Sequence, residues 1–330
     1  MADNKFNVLV VGGAGYIGSH MVKRLLRAGY AVTTLDDFST GYRDAVLGGE
    51  LVEGSLADVA LLDSLFAAQH FDAVLHFASF IQVGESVSKP DKYYANNLAN
   101  TLNLLNAMVK HGVQRFVFSS TAAIFGEPQY APIDEQHPIA PINPYGASKA
   151  MVEQVLRDYD KAYGLKSVCL RYFNACGADP EGELGERHDP ETHLIPLALQ
   201  AVSGRRSALT VFGRDYDTAD GTCIRDYVHI VDLCQAHAQA LDSLNAGGES
   251  AAFNLGNGAG FSVAEVVDAV GRVTVNPVPV IEGSRRAGDP ARLVADSTLA
   301  RQVLGWQPQY ADLDTIIAHA WAWEQKMCGR

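Results

Sequence analysis

Short apolar runs alternate with longer stretches of helical period through the first half of the chain. "NVLVVG" (7–12), "AVTTLD" (31–36), "AVLHFA" (73–78), "RFVFSS" (115–120) and "SVCLRYF" (167–173) read as strands buried on both faces. Between them, 16–28, 58–69, 92–111 and 145–163 read as helices. Strand, helix, strand repeated in this way predicts an α/β fold: a doubly wound, Rossmann-type parallel sheet with helices on both faces. Near residue 175 the pattern breaks. "NACGADPEGELGERHDPETH" is rich in Gly, Pro and acids and reads as a long loop, followed by shorter strands and helices that end in the amphipathic "LDTIIAHAWAWEQKM". The expected division is a Rossmann-type domain over 1–175 and a smaller, mixed α/β, mainly substrate-binding domain over 176–330, with an approximate boundary and some interleaving of the two. No internal repeat is visible.

"GGAGYIGSH" follows the first strand directly and opens the first helix, so Gly12, Gly15 and Gly18 form GxxGxxG in a strand-turn-helix context. Backbone amides at such a turn, together with the positive end of the helix, suit a pyrophosphate. The second strand ends in "LDD", which places Asp36 18 residues beyond Gly18. An acid there bonds the adenosine ribose hydroxyls and repels a 2′-phosphate, so the expected cofactor is NAD rather than NADP.

"NPYGASK" (143–149) sets Tyr145 and Lys149 four apart, on one face if the stretch is helical. Such a pair also occurs as decoration on a solvated helix. Its alternative is chemical: a cation beside a phenol favours the phenolate and makes it a usable base. Asn143 is a favoured N-cap and Pro144 is pre-shaped for the first helical position, so Tyr145 falls in the first turn. "SSTAAIFG" (119–126) leaves a strand whose carboxyl end faces the expected crevice, and Thr121 completes a Thr–Tyr–Lys group.

Composition narrows the classes. At 330 residues, 48% hydrophobic and 19% charged, the chain has an ordinary globular composition. A formal charge of −12 argues against broad binding to nucleic acid or anionic membranes. The amino terminus shows no secretory pattern, and no apolar run reaches the roughly 18–20 residues of a membrane span. The five cysteines show no CxxC spacing, as expected of reduced thiols in a cytoplasmic protein.

At these residues the chain resembles the extended branch of the short-chain dehydrogenase/reductase superfamily, and within it the UDP-glucose 4-epimerase family. "VGGAGYIGSH", "VGESVSKP", "FSSTAAIFGEP", "PYGASKAMVE", "LRYFNACGA", "HDPETHLIP", "DGTCIRDYVHI" and "RRAGDPA" look like that family's blocks in its order, from residue 11 to about 296. The resemblance implies an NAD-dependent isomerase that inverts C4 of a UDP-hexose through a 4-keto intermediate, with NAD held as a prosthetic group. Thr121 and Tyr145 would act on the 4-hydroxyl, while Lys149 would hold the nicotinamide ribose and lower the tyrosine's pKa. Gly12, Gly15, Tyr16, Ile17, Gly18, Asp36, Asp37, Ser39, Phe77, Ala78, Asn96, Tyr145, Lys149 and Phe173 match cofactor contacts. Thr121, Asn174, His193, Leu194, Phe212, Arg225, Arg286, Asp289 and Leu293 match the UDP-sugar site. Arg225 and Arg286 suit a diphosphate and Asp289 a uridine ribose.

The chain departs from the pattern in places. Ser55 stands where many relatives have an acid, and Ile81 where several have a lysine, so the hold on the dinucleotide is expected to be weaker. Dehydratases of the same branch carry an Asp-Glu, or at least a Glu, after the hydroxyl residue. Here those positions are Ala122 and Ala123, which move no proton. A nicotinamide-sensing regulatory protein on the same fold would typically have lost the Tyr–Lys pair. Leu293 aligns with a position limiting room beside C2 of the hexose, which suggests tolerance of the N-acetylhexosamine pair. His188 and His193, five apart in "RHDPETH" with acids around them, are residue types that can ligate zinc, but no third or fourth ligand is obvious, so no metal is expected. His76, on a buried strand, reads as a core histidine. Relatives are commonly homodimers, and helices 92–111 and 145–163 would form the contact.

Overall fold

The computed structural model describes residues 6–285 and 289–329. Its centre is a sheet of seven parallel strands. Six come from the first half: β1 (Asn7–Val11), β2 (Ala31–Asp36), β3 (Glu50–Glu53), β4 (Ala73–His76), β5 (Arg115–Ser119) and β6 (Lys166–Tyr172). They lie in the order 3-2-1-4-5-6, the doubly wound arrangement. The seventh strand, Ala251–Leu255, comes from the second half of the chain and pairs in parallel with β6. Residues 176–330 are therefore not one separate unit. The helix Ile230–Asn245 and the strand Ala251–Leu255 return to the first sheet, because β6 would otherwise be an edge with unpaired amides.

Strand alternation builds two cores. Val8 and Val10 face one side of β1, where they join Met21, Val22 and Leu25 of helix α1 (Tyr16–Arg27) and Leu233, Ala236 and Ala240 of Ile230–Asn245. Leu9 and Val11 face the other, against Leu62 and Phe66 of α2 (Val59–Ala68), Leu104 and Met108, and Val152 and Leu156. Since both faces are covered, the strands read as unbroken apolar runs. The predicted helix 92–111 is interrupted. A short helix (Pro90–Tyr93) runs into a π-helical turn (Tyr94–Ala99) and then the helix Asn100–Lys110. A third core, with Ile195, Leu199, Val266, Val270, Ile316 and Ile317, joins the helices Leu194–Ser203, Val263–Thr274 and Leu313–Met327. All five cysteines are free. Among the described residues no helix is long and apolar enough to cross a membrane.

Candidate active site

Between the carboxyl ends of β1 and β4 the strand order reverses, and there a cavity of about 1200 Å³ opens. The phosphate turn forms one wall. Gly12 sits at φ +80°, and a Cβ on it would stand 2.5 Å from the Ala78 amide nitrogen. A Cβ on Gly18 would come within 2.0 Å of the Gly12 carbonyl oxygen, so the third glycine lets α1 lie directly on the turn. Gly15 caps α1 with no side-chain bond, and α1 has no acid in its first turn. The amides of that turn and the positive helix end are thus left for an anion. Asp36 ends β2 with its carboxylate held in place: Oδ2 accepts from Ala14 N at 2.9 Å and Oδ1 from Phe38 N at 2.8 Å. Burial raises its pKa, against those two bonds. Asp37 accepts from Ser39 N. Gly12, Gly15–Gly18, Asp36, Asp37, Ser39, Phe77, Ala78, Asn96 and Phe173 all line the cavity, as do Ser55 and Ile81. A glycine cradle that any Cβ would fill, beside a fixed carboxylate, fits a dinucleotide.

The helix Pro144–Tyr163 starts at this cavity for local reasons. Asn143 Oδ1 accepts from Gly146 N at 2.8 Å, and Pro144 takes the first position. A Cβ on Gly146 would meet the Ala123 carbonyl oxygen at 2.3 Å, so this glycine brings the helix against the turn Ala122–Phe125. Tyr145, Lys149 and Thr121 line one cavity. The lysine and the phenol nevertheless do not pair as their spacing suggests. Lys149 Nζ donates to Ser79 Oγ at 2.7 Å and to the Ser119 carbonyl at 2.8 Å. Burial raises the Tyr145 pKa, and a hydrogen bond with Thr121 offsets part of that rise. The ammonium is bonded instead to neutral oxygens on β5 and on the loop after β4. Burial also draws Lys149 down to about 7, with Glu153 pulling the other way.

Behind this group lies a buried support that the sequence reading missed. Glu153, one turn beyond Lys149, accepts from Ser120 Oγ at 2.6 Å and takes a two-point contact from Arg171 at 3.0 and 2.6 Å. The i, i+4, i+8 series Tyr145, Lys149, Glu153 was readable. The strand partner Arg171 was not, since β6 follows only after the helix ends. Asn97 bonds both backbone groups of Phe80 and reaches Ser148 Oγ, tying the loop after β4 to the same helix. His76 is a core residue as read, its Nε2 bonded to Thr101 Oγ1 at 2.9 Å.

Among the sugar-nucleotide candidates, Asn174, His193, Arg225, Asp289 and Leu293 reach the cavity. Asn174 donates to the Asp226 carbonyl at 2.9 Å, and Arg225 donates to the Pro290 carbonyl at 2.9 Å with Asp289 3.5 Å away. Leu293 packs with Phe173 around Ala122 and Phe125. Leu194 and Phe212 stand outside the cavity wall. Leu194 begins a helix that feeds the third core, and Phe212 ends a strand with its ring partly exposed. Arg286 lies outside the described residues. The His188–His193 loop also differs from its sequence reading: Glu186 and Glu191 fold in beside both histidines.

The family described as NAD dependent epimerase/dehydratase matches residues 8–256. The UDP-glucose 4-epimerase of Rhizobium leguminosarum bv. trifolii is 53% identical over 319 residues, 97% of each chain. The crystal structure of UDP-glucose 4-epimerase from Brucella ovis in complex with NAD superposes with a TM-score of 0.94 at 51% identity, covering 96% of this chain and 97% of that one. The UDP-Glc/GlcNAc 4-epimerase of Campylobacter jejuni superposes at 0.86 with 44% identity, over 97% and 99% of the two chains. With the glycine cradle, the fixed Asp36 and the seven-stranded sheet in place, the chain belongs to the NAD dependent epimerase/dehydratase family.

Proposed function

We propose that this chain is a UDP-hexose 4-epimerase in which Tyr145 moves the proton, Thr121 orients it and Lys149 holds the cofactor's ribose. The observation that carries the reading is a single cavity lined by the phosphate turn, by Tyr145, Lys149 and Thr121, and by Arg225 and Asp289. When bound, NAD supplies the hydride acceptor that oxidises C4 of the sugar and returns the same hydrogen to the other face. Tyr145 takes the proton of the 4-hydroxyl and gives it back to the inverted oxygen. Its phenol sits above its ordinary value in the chain alone, so it needs positive charge close by, of which protonated Lys149 is one source. Thr121 Oγ1, itself fixed by Ala123 N at 3.1 Å, steers the phenol. Ala122 and Ala123 offer no acid to a 4-keto sugar, which therefore does not lose water.

Arg225 is assigned to the diphosphate and Asp289 to the uridine ribose. The sugars are UDP-glucose, the one in the relatives' names, and its C4 epimer UDP-galactose, with the N-acetylhexosamine pair also admitted past Leu293. Purified protein with no added NAD, given UDP-galactose or UDP-N-acetylgalactosamine and followed by NMR, should form the C4 epimer of each. No conversion with NAD supplied would overturn the reading. Leu293→Tyr should lower the N-acetyl rate relative to the hexose rate by roughly tenfold. An unchanged ratio would remove Leu293 as the gate. A homodimer through the helices within 92–111 and 145–163 completes the proposal, and light scattering at twice the chain mass checks it.

A further inference from the structure

The loop 186–193 reads E-x-H-x-x-E-x-H, and it closes on itself at the edge of the cavity. One ligand atom each from Glu186, His188, Glu191 and His193 comes within 4.8 Å of all the others. His188 Nδ1 lies 3.3 Å from Glu186 Oε1 and 3.6 Å from Glu191 Oε2, and His193 Nδ1 lies 3.5 Å from Glu191 Oε1 and 2.5 Å from Glu186 Oε1. A tetrahedral cation with bonds of about 2.0–2.1 Å has its ligands about 3.3 Å apart. Three of the four histidine–carboxylate separations are close to that edge, with Glu191 presenting Oε2 to His188 and Oε1 to His193, and the fourth needs to open by less than an ångström.

Two further observations point to a ligand. His188 Nδ1 is buried and makes no hydrogen bond, although two carboxylates stand beside it. The Glu186 and Glu191 side chains are only 5% and 6% exposed, and neither meets a lysine or arginine among the described residues. Arg187, between them in sequence, turns away to Asp44 and the Tyr42 ring. Two shielded carboxylates beside two imidazoles need positive charge between them, carried by protons on the rings or by a metal ion that displaces those protons. Among the described residues the other such group, Asp179 with Glu181 and Glu183, is already paired with Lys23 and Arg27.

We propose that Glu186, His188, Glu191 and His193 bind one divalent transition-metal ion of the zinc type. All four ligands come from eight consecutive residues, so the loop closed by the ion is short and little order is lost on binding. The site holds three parts of the molecule together. Trp323 of the last helix donates to the Glu186 carbonyl at 3.1 Å, Arg187 reaches Asp44 beyond β2, and the His188 ring meets the edge of Tyr16 on α1. Coordination through Nδ1 leaves each imidazole its proton on Nε2, so His193 remains a donor toward the cavity. The ion is structural and takes no part in the reaction proposed above.

Untagged protein, with its own cofactor retained, is stripped with a chelator and titrated with Zn²⁺ by calorimetry. One equivalent per chain is expected, with a rise in melting temperature. With Co²⁺ the same protein should show the visible bands of a tetrahedral site and two exchangeable, strongly shifted N–H resonances, one from each imidazole. This reading on the unaltered chain needs no variant to fold. Glu191→Gln should bind roughly tenfold or more weakly, and the paired His188→Ala and His193→Ala change should abolish the site. His319→Asn should leave it intact, although His229 and His319 form another close histidine pair at 3.1 Å. No uptake, octahedral cobalt without imidazole resonances, or binding that survives loss of both loop histidines would overturn the proposal.

Discussion

Two lysines are folded into this molecule in opposite surroundings. Lys23, on α1, is ringed by carboxylates: Asp179 at 2.5 Å, Glu183 at 2.6 Å and Glu181 at 3.3 Å. Burial alone would lower its pKa, but the bonds to Asp179 and Glu183 outweigh that and raise it. Lys149, also buried, bonds to the Ser79 hydroxyl and the Ser119 carbonyl and lies over the Phe118 ring, with no carboxylate in direct contact among the described residues. Its nearest acid, Glu153, is already bound to Arg171. Burial therefore wins, and the amine falls to about 7. A buried amine among acids fastens two parts of a fold together; one among neutral oxygens at a cavity wall keeps a proton that it can share. Lys23 joins α1 to the loop after residue 178, whereas Lys149 faces the cofactor crevice.

The sharpest way to break that contrast starts at the chemical end. Tyr145→Phe should lower turnover by roughly 10²–10⁴-fold while the fold and bound NAD persist. Near-normal turnover, measured by single-time-point NMR of the sugar products, would remove the phenol from the reaction. Lys149→Met should also depress turnover and loosen NAD, yet leave the melting temperature equal or higher, since no carboxylate loses its partner. Lys23→Met should do the reverse. It strands Asp179, which is 8% exposed, and should cost about 2–3 kcal/mol in urea unfolding, with turnover per folded molecule unchanged. If both methionine variants destabilise alike, the distinction fails.

The smallest effect is a difference in pH slope. Lys149 has a folded pKa of about 7 against 10.5 unfolded, so between those values the unfolded chain binds more protons and this group's contribution to stability rises with pH. The advantage of Lys149→Met over wild type should therefore be full below pH 7 and shrink toward pH 10, measured on protein freed of NAD. Lys23 has a raised folded pKa, so its contribution is present below its unfolded value and is lost only above it. The deficit of Lys23→Met should stay flat over the same window. Parallel curves for the two variants would contradict the assignment of their environments.

Much of the phosphate turn was legible because its constraints are local. Gly12, Gly15 and Gly18 are set by a strand, a turn and the first turn of a helix, all within a dozen residues. Asn143 and Pro144 likewise announced the start of their helix. The domain division was less legible. The strand Ala251–Leu255 carries no local mark that it must cross back to β6. Leu194 and Phe212, matched to the sugar site by their sequence blocks, turn out to stand off the cavity, because a neighbour in sequence can point into a core or out to solvent.

The sequence by itself determined the alternating architecture, the glycine cradle and the presence of a tyrosine and a lysine one helical turn apart, since periodicity and backbone sterics act over a few residues. Only the tertiary structure decided what surrounds them. It turned Lys149 toward Ser79 and Ser119 instead of the phenol, set Arg171 behind Glu153, and folded the Glu186 and Glu191 carboxylates in beside His188 and His193. Those outcomes depend on which segments meet in space and how far water is excluded where they meet. Electrostatic character follows from that exclusion, and a linear pattern of residues does not carry it.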